Sequence, residues 1–274
     1  MNIPANTQRY YLFDGALLNS TAPSWLLEQP GLYRLYDDLG EQAASVGPWL
    51  LPTTDPVNEY TRTLLTSGTE QRFACSGLTC RAPLPALLEH LRALRYLQSG
   101  GTQRYYFRYA DGRAFSDLWR TLTPAQRRAT LGPINTWNHL DLTGNVHKAL
   151  APHPDEVAAE VSLPLRLQPQ QWHQLIENGR IGELFDATAQ IDDGLPPHGQ
   201  PHERYHWTCQ TYAWLRRMGV ESVPVQVAAN RVIWQTAGLL LKQEQFQSAL
   251  LQAQRSGDIS RVLEFAQIGT GRRT

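Results

Sequence analysis

Lysine is almost absent from this sequence of 274 residues: Lys148 and Lys242 are the only two, and arginine supplies the other cations. The 25 lysine and arginine residues are balanced by 25 aspartate and glutamate residues. This balance argues against a general affinity for nucleic acid or for an anionic membrane. Arginine suits planar, paired recognition better than lysine does, although a GC-rich genome also raises the arginine content and is the simpler cause.

Cysteine is scarce as well, and the three residues Cys75, Cys80 and Cys209 cannot all pair within one chain. Long apolar runs are missing, because polar and charged side chains interrupt the most apolar stretch, residues 223–241. A bilayer span needs about 20 mostly apolar residues. The first residues also lack the cationic segment and apolar run of a secretory signal. We therefore expect a soluble, reduced, cytoplasmic protein with no membrane partner.

Aromatic residues, in contrast, are plentiful, with 8 tryptophans and 11 tyrosines. Such a composition is typical of a folded chain rather than a disordered one. At a prior of about 150 residues per domain, the length suggests roughly two domains.

Residues 1–141 mix strand-like and helix-like patterns, which predicts a mixed α/β lobe. Apolar runs that end at turn-forming residues predict strands at 10–13, 31–35 and 47–52, the last one either short or at a sheet edge. Leucines recur at helical spacing over 83–95, and a further helix is predicted over 116–122. Thr123 is a good N-cap for another helix, because Pro124 follows it and Gln126 stands three residues later.

The second half of the chain has helical periodicity. Several prolines and little periodicity mark residues 142–168, which we interpret as a linker. Helices are then predicted over 169–190 and 202–218, along the apolar face that runs from Val223 to Leu241, and after Gly257. The sequence therefore predicts an α+β protein, with the α/β lobe at 1–141 and an all-helical lobe at 169–274.

A short segment matches the zinc-peptidase motif H-E-x-x-H, with His202 and His206 as ligands and Glu203 as general base. Its surroundings oppose this interpretation. Pro201 precedes His202, which puts the motif on an exposed first helical turn, and Tyr212 stands where a third histidine ligand is expected. A zinc peptidase is therefore kept only as the alternative function.

Two further groups of residues could in principle hold a metal. His198, His202, His206 and Cys209 are of the right types, but Pro201 interrupts the helical register between the first two. Cys75 and Cys80 lack the second cysteine pair of a zinc ribbon. Phosphate-binding loops and serine-hydrolase signatures are absent from the sequence, so we expect no cofactor, no metal, no catalytic residue and no enzymatic activity.

An arginine-rich stretch, residues 81–128, contains nine arginines against Glu89, Asp111 and Asp117. Most of it can be an ordinary solvated face. The more specific hypothesis is a docking surface for an acidic partner, because arginine and tyrosine are favoured at protein interfaces. Within the stretch, residues 104–109 alternate as in a half-buried strand. The candidate partner-binding residues are Arg104, Tyr106, Arg108 and Arg113.

Five short motifs occur in order between residues 11 and 115. They are residues 11–16, Leu32-Tyr33 with Tyr36, residues 47–50, residues 87–92 and residues 107–115. In this order they resemble the adaptor chaperones of the bacterial type VI secretion system, a family long catalogued as a domain of unknown function. The residues that represent the motifs are Asp14, Gly15, Tyr36, Pro48, Trp49, His90 and Asp111. The chain departs from the family pattern at Ala110, which precedes Asp111, and at Gly112, which replaces a proline.

The resemblance implies a cytoplasmic, non-catalytic adaptor with an α/β N-terminal lobe and a helical C-terminal lobe. Its implied partners are a secreted effector toxin and the valine-glycine-repeat spike protein onto which the effector is loaded. A third hypothesis is a structural scaffold in some other assembly.

Overall fold

An antiparallel sheet of six strands organises the first part of the chain in the computed structural model. The structure describes residues 7–18, 21–54, 58–67, 69–153, 160–192, 194 and 196–269. In spatial order the strands of this sheet are β2 (Tyr33–Arg34), β3 (Pro48–Thr53), β1 (Gln8–Asp14), β4 (Cys75–Cys80), β7 (Ile134–Leu140) and β8 (Val146–Leu150). A second sheet of three strands has the order β6 (Arg104–Tyr106), β5 (Tyr96–Gln98) and β9 (Leu165–Arg166).

Strand β1 is central and buried on both faces. Tyr10 and Leu12 belong to one hydrophobic core, whereas Tyr11 and Phe13 belong to another on the opposite face. Successive side chains of a strand point to opposite faces, so the continuous apolar run predicted as a strand supplies both cores.

Strand β3 confirms the strand predicted at 47–52, but it lies between β2 and β1 rather than at an edge. Only Trp49 and Leu50 of β3 pair with β2. Pro48 and Pro52 lie outside this pair, so the N–H groups that they lack are not needed for hydrogen bonding to β2.

Short helices cover the faces of the six-stranded sheet. They are α1 (Gly15–Leu18), α2 (Ser24–Leu27), α3 (Glu41–Val46), α4 (Glu59–Thr66), α5 (Leu84–Ala93), α6 (Gly112–Thr121) and α7 (Pro124–Leu131). The leucine spacing predicted for 83–95 is confirmed in α5, where Leu87 and Leu91 are fully buried. The Thr123 prediction is also confirmed, since Thr123 and Gln126 form a reciprocal capping box at the start of α7.

Strands β8 and β9 lie within the stretch 142–168 that was interpreted as a linker, and residues 154–159 of that stretch lie outside the described residues. Strand β8 pairs with β7, and β9 pairs in parallel with β5. Four of the five residues of β8 are exposed. Its sequence, Val-His-Lys-Ala-Leu, also lacks the alternation of apolar and polar residues that predicts a strand.

Helices make up the described part of the chain after β9. They are α8 (Pro169–Ala189), α9 (Pro201–Arg217), α10 (Val223–Gln235), α11 (Glu244–Ser256) and α12 (Ser260–Gly269). The helix predicted to reach Leu241 ends earlier, because Ala237 and Gly238 both adopt positive φ, and Leu241 lies in a separate 3-10 turn. The α+β class, with a helical C-terminal region, is confirmed.

The chain divides into two compact units, Met1–Leu175 and Ile176–Thr274, which we call the first and second units. Among the described residues, no helix combines the length and the apolar character needed to cross a lipid bilayer.

Candidate partner-binding surface

Strand β6 presents Arg104 and Tyr106 to solvent. Exposure alternates over residues 104–109 as predicted, although the strand itself covers only the first three of them. Tyr106 is 62% exposed and Arg104 is also exposed, whereas the ring of Tyr105 packs 4.7 Å from that of Trp172. The tight pairing of β6 with β5 therefore sorts the two predicted side chains onto the outer face.

Tyr96 of β5 completes this surface. It lies directly opposite Tyr106 in the register of the two strands, with ring centroids 4.9 Å apart. The Tyr96 hydroxyl donates a hydrogen bond of 3.3 Å to the Tyr106 hydroxyl, and the guanidinium carbon of Arg104 lies 5.9 Å from the Tyr96 ring centroid. We call Tyr96, Arg104 and Tyr106 the tyrosine–arginine patch.

Tyr96 was not among the partner-binding residues predicted from the sequence. Its position could have been predicted from the glycine turn, because Gly100 and Gly101 lie about midway between Tyr96 and Tyr106. Residues equally far from a hairpin turn face each other across the two strands. Rigid aromatic rings and arginine are the side chains most often responsible for binding energy at interfaces.

A buried arginine supports the patch from below. Arg95 donates to both carboxylate oxygens of Asp38, at 2.9 and 2.7 Å, and to the carbonyl oxygen of Leu35 at 3.2 Å. The Arg95 guanidinium also lies 4.7 Å from the ring centroid of Tyr36, whose ring is 6.4 Å from that of Tyr106. The hydrogen bonds from Arg95 lower the pKa of Asp38, and burial raises the pKa of Tyr36. At neutral pH, Asp38 is therefore ionised and Tyr36 is neutral.

Arg108 and Arg113 have different surroundings. Arg108 Nη2 donates to both carboxylate oxygens of Asp14 at 3.1 Å and lies 3.6 Å from Asp111. Arg113 donates to both oxygens of Asp111 at 3.1 and 3.0 Å and lies 3.6 Å from Glu70. Asp14 and Asp111 are buried. We call these five residues the ion-pair cluster.

The structure therefore separates the four predicted partner-binding residues into two groups. Arg104 and Tyr106 lie in the patch, whereas Arg108 and Arg113 form ion pairs with Asp14 and Asp111, two buried aspartates of the ordered motifs. Burial raises the pKa of Asp14, and the nearby Arg108 partly offsets this rise. Arg108 keeps 49% of its side chain exposed and Arg113 keeps 17%, so the cluster is mainly an internal connection.

The arginine excess of residues 81–128 is also reduced by intramolecular pairing. The arginines that form ion pairs are Arg92, Arg95, Arg108, Arg113 and Arg120. Several of their acidic partners, including Asp14, Asp37 and Asp38, come from an earlier part of the chain. A charge count limited to one stretch of sequence overlooks these partners and overstates the positive surface.

The remaining motif residues have packing roles. A Cβ atom on Gly15 would lie 2.4 Å from the carbonyl oxygen of Gly47, and Trp49 donates from Nε1 to the carbonyl oxygen of Ala44 at 3.0 Å. Pro48 begins β3, and its carbonyl oxygen accepts from Leu35 N.

His90 fixes the connection between α5 and the end of α7. Its Nε2 lies 2.8 Å from the carbonyl oxygen of Thr130, and its ring occupies the space beside Gly132, where a Cβ atom would come within 2.3 Å of it. Burial lowers the pKa of His90, so the ring is neutral at physiological pH and forms part of the packing.

The H-E-x-x-H segment begins helix α9. Glu203 accepts a 2.7 Å hydrogen bond from Gln200 N and so forms half of a capping box, while His202 and His206 are exposed. Within the described ranges, no three histidine, cysteine or acidic side chains are grouped as metal ligands require. The local geometry gives Glu203 a structural task at the helix start.

The two cysteines of β4 cannot bind one metal ion together, because Cys75 and Cys80 belong to cores on opposite faces of the sheet. Both thiols are free and buried. Burial raises the pKa of Cys75 to about 12, which leaves it unreactive.

Comparison with known proteins gives one finding. Searches of curated proteins and of solved structures each found no match. Residues 9–129 match the model of a family described as a domain of unknown function, DUF4123. This range contains the ion-pair cluster, the tyrosine–arginine patch and all five of the ordered motifs, so this part of the chain is similar to that family.

Proposed function

We propose that this chain is a cytoplasmic adaptor chaperone of bacterial type VI secretion. It binds a secreted effector toxin, helps to load it onto the valine-glycine-repeat spike protein, and performs no chemical reaction. The observation that carries the proposal is the coincidence, over residues 9–129, of the family match with the ordered motifs that resemble these adaptors.

The ion-pair cluster supports this reading of the motifs. Asp14 from the first motif and Asp111 from the last are joined through Arg108. Residues that lie far apart in the sequence thus depend on one another in the fold. This is what is expected if the motifs describe one domain rather than five chance matches.

The tyrosine–arginine patch supplies a surface of suitable chemistry. A loading chaperone must hold its cargo specifically and later release it. Polar and charged contacts influence specificity and association rate more than raw affinity, and tyrosine and arginine can anchor a small interface. We assign effector binding to this patch and regard the ion-pair cluster as its support.

The proposal is tested with the intact chain. Any effector or spike gene that lies beside its own gene is co-expressed with it, and the complexes are purified and analysed by size-exclusion chromatography with light scattering. We expect a stable complex with the effector, and recovery of the spike protein only when the effector is present.

Failure of the intact chain to bind any adjacent effector would overturn the proposal. Recovery of the spike protein in complexes that do not contain the effector would also contradict a role in loading. Recovery of an unrelated assembly from cells that lack secretion genes would favour the scaffold hypothesis instead.

A further inference from the structure

Strand β8 forms one edge of the six-stranded sheet. The amide of Asp141 donates to the carbonyl oxygen of Asn145 at 3.0 Å, in the same register that pairs β7 with β8. Antiparallel partners alternate between hydrogen-bonded and non-bonded pairs. The backbone N–H and C=O groups of Val146, Lys148 and Leu150 therefore point away from β7, towards the open edge.

These outward groups are not used elsewhere in the described part of the chain. No hydrogen bond from the described residues reaches the backbone of Val146, Lys148 or Leu150. The side chains of the three residues share one face, and the apolar ones are unusually open, with Val146 70% and Leu150 50% exposed. Among the described residues, this edge therefore combines backbone groups that have no hydrogen-bond partner with exposed apolar side chains.

The other sheet edges are shorter. Strands β2 and β9 have two residues each and β6 has three, whereas β8 has five, without a proline and without a bulge in its pairing. Natural proteins usually blunt an exposed edge with short strands, prolines, bulges or charges. On β8 the charge of Lys148 is the one such device.

Lys148 also indicates what pairs with this edge. It is the central residue of β8, so antiparallel pairing of two copies along the whole strand would place Lys148 opposite its own counterpart. Like charges directly opposite each other destabilise a strand pair. A second copy is therefore disfavoured, and a segment with a carboxylate opposite Lys148 and apolar residues beside Val146 and Leu150 is favoured.

We propose that β8 binds an extended segment of the effector by strand addition, in the pattern apolar–x–acidic–x–apolar. This inference rests on the proposed function, and it identifies a second contact, distinct from the tyrosine–arginine patch. Main-chain hydrogen bonds provide the affinity in such complexes, and alternate side chains provide the specificity.

The test uses the full chain and a labelled synthetic peptide, Thr-Val-Thr-Glu-Thr-Val-Thr, with a second peptide that has lysine in place of glutamate. Binding is measured by fluorescence anisotropy. Lys148→Gln removes only the charge and is expected to weaken binding of the glutamate peptide about two- to fivefold, as for an exposed ion pair. Lys148→Glu is expected to reverse the preference between the two peptides.

Lys148→Pro tests the backbone contribution. It removes an N–H that points away from β7, so the β7–β8 hydrogen bonds remain, as at other edge prolines. We expect loss of binding to both peptides with an unchanged circular dichroism spectrum. If this variant does not fold, the peptide preference of Lys148→Glu decides the question.

Wild-type affinity in Lys148→Pro, or an unreversed preference in Lys148→Glu, would overturn the inference. An unchanged affinity of Lys148→Pro for the purified effector, measured by titration, would also overturn it, while leaving the proposed function intact. If the wild-type chain binds no effector, the proposed function fails, and the peptide measurements still show whether the edge accepts a strand.

Discussion

Arg108 Nη2 lies 3.1 Å from each carboxylate oxygen of Asp14, a residue 94 positions earlier in the chain. Asp14 ends β1 and is only 4% exposed. Arg108 lies between β6 and α6. The ion pair therefore ties the segment that follows the tyrosine–arginine patch to the central strand of the large sheet.

Removal of this arginine should destabilise the first unit. Arg108→Ala leaves the buried Asp14 without its main counter-charge, and we expect the free energy of unfolding to fall by about 1–3 kcal/mol. The lower end reflects the half-exposed position of Arg108, where water replaces part of the interaction. Urea unfolding measures the change, with Arg104→Ala as control, expected within about 0.5 kcal/mol of wild type. Equal losses in both variants would contradict the structural role of Arg108.

Substitutions in the patch should affect binding rather than stability. Tyr106→Ala and Arg104→Glu are expected to weaken effector binding by at least about tenfold, in the range of interface hot spots. Thermal unfolding should change little, because both side chains are exposed. Arg81→Glu, at another exposed arginine, is the matched control for loss of positive charge. If Arg81→Glu weakens binding as much as Arg104→Glu does, the effect is general electrostatics and the patch is misplaced.

Acid should destabilise the fold through His139. This ring is 3% exposed and lies 4.8 Å from that of Phe115, and burial lowers its pKa from the ordinary 6.5 to about 4. Between these values the unfolded chain binds about one more proton than the folded chain. The contribution of neutral His139 to the free energy of unfolding is therefore fully present above pH 6.5 and is lost as the pH falls towards 4. The linked loss is at most about 1.4 kcal/mol per pH unit.

Urea unfolding at several pH values measures this slope. His139→Gln should reduce it without removing it, because burial also lowers the pKa of His90. A variant with the full wild-type slope would show that His139 is not the group responsible.

Two glycines should respond to alanine in opposite directions. At Gly15 a Cβ atom would lie 2.4 Å from the backbone oxygen of Gly47, so Gly15→Ala is expected to cost about 1–3 kcal/mol through overpacking. Gly179 lies within α8 with open space around it, so Gly179→Ala is expected to stabilise by about 0.5–1 kcal/mol through helix propensity. Differential scanning calorimetry distinguishes the two, and a neutral Gly15→Ala would show that α1 can move away from α3.

Local features of this protein follow from the sequence by itself. The capping box of Thr123 and Gln126, the buried leucines of α5 and the alternation over 104–109 were all predictable. Each depends on interactions between residues a few positions apart, where the spacing of the residues fixes the geometry. The same reasoning placed Arg104 and Tyr106 together on one exposed face.

Only the tertiary structure decided which charges are free and which strands lie at an edge. The sequence placed Arg108 beside Arg104, but Asp14 arrives from 94 positions away and neutralises it. Tyr96 lies in the patch because β5 pairs with β6 in a register that places it opposite Tyr106. Strand β8 lies at a sheet edge because, in the order of the sheet, it pairs with β7 alone. Such contacts depend on long-range packing of sheets and cores, which no local spacing rule records.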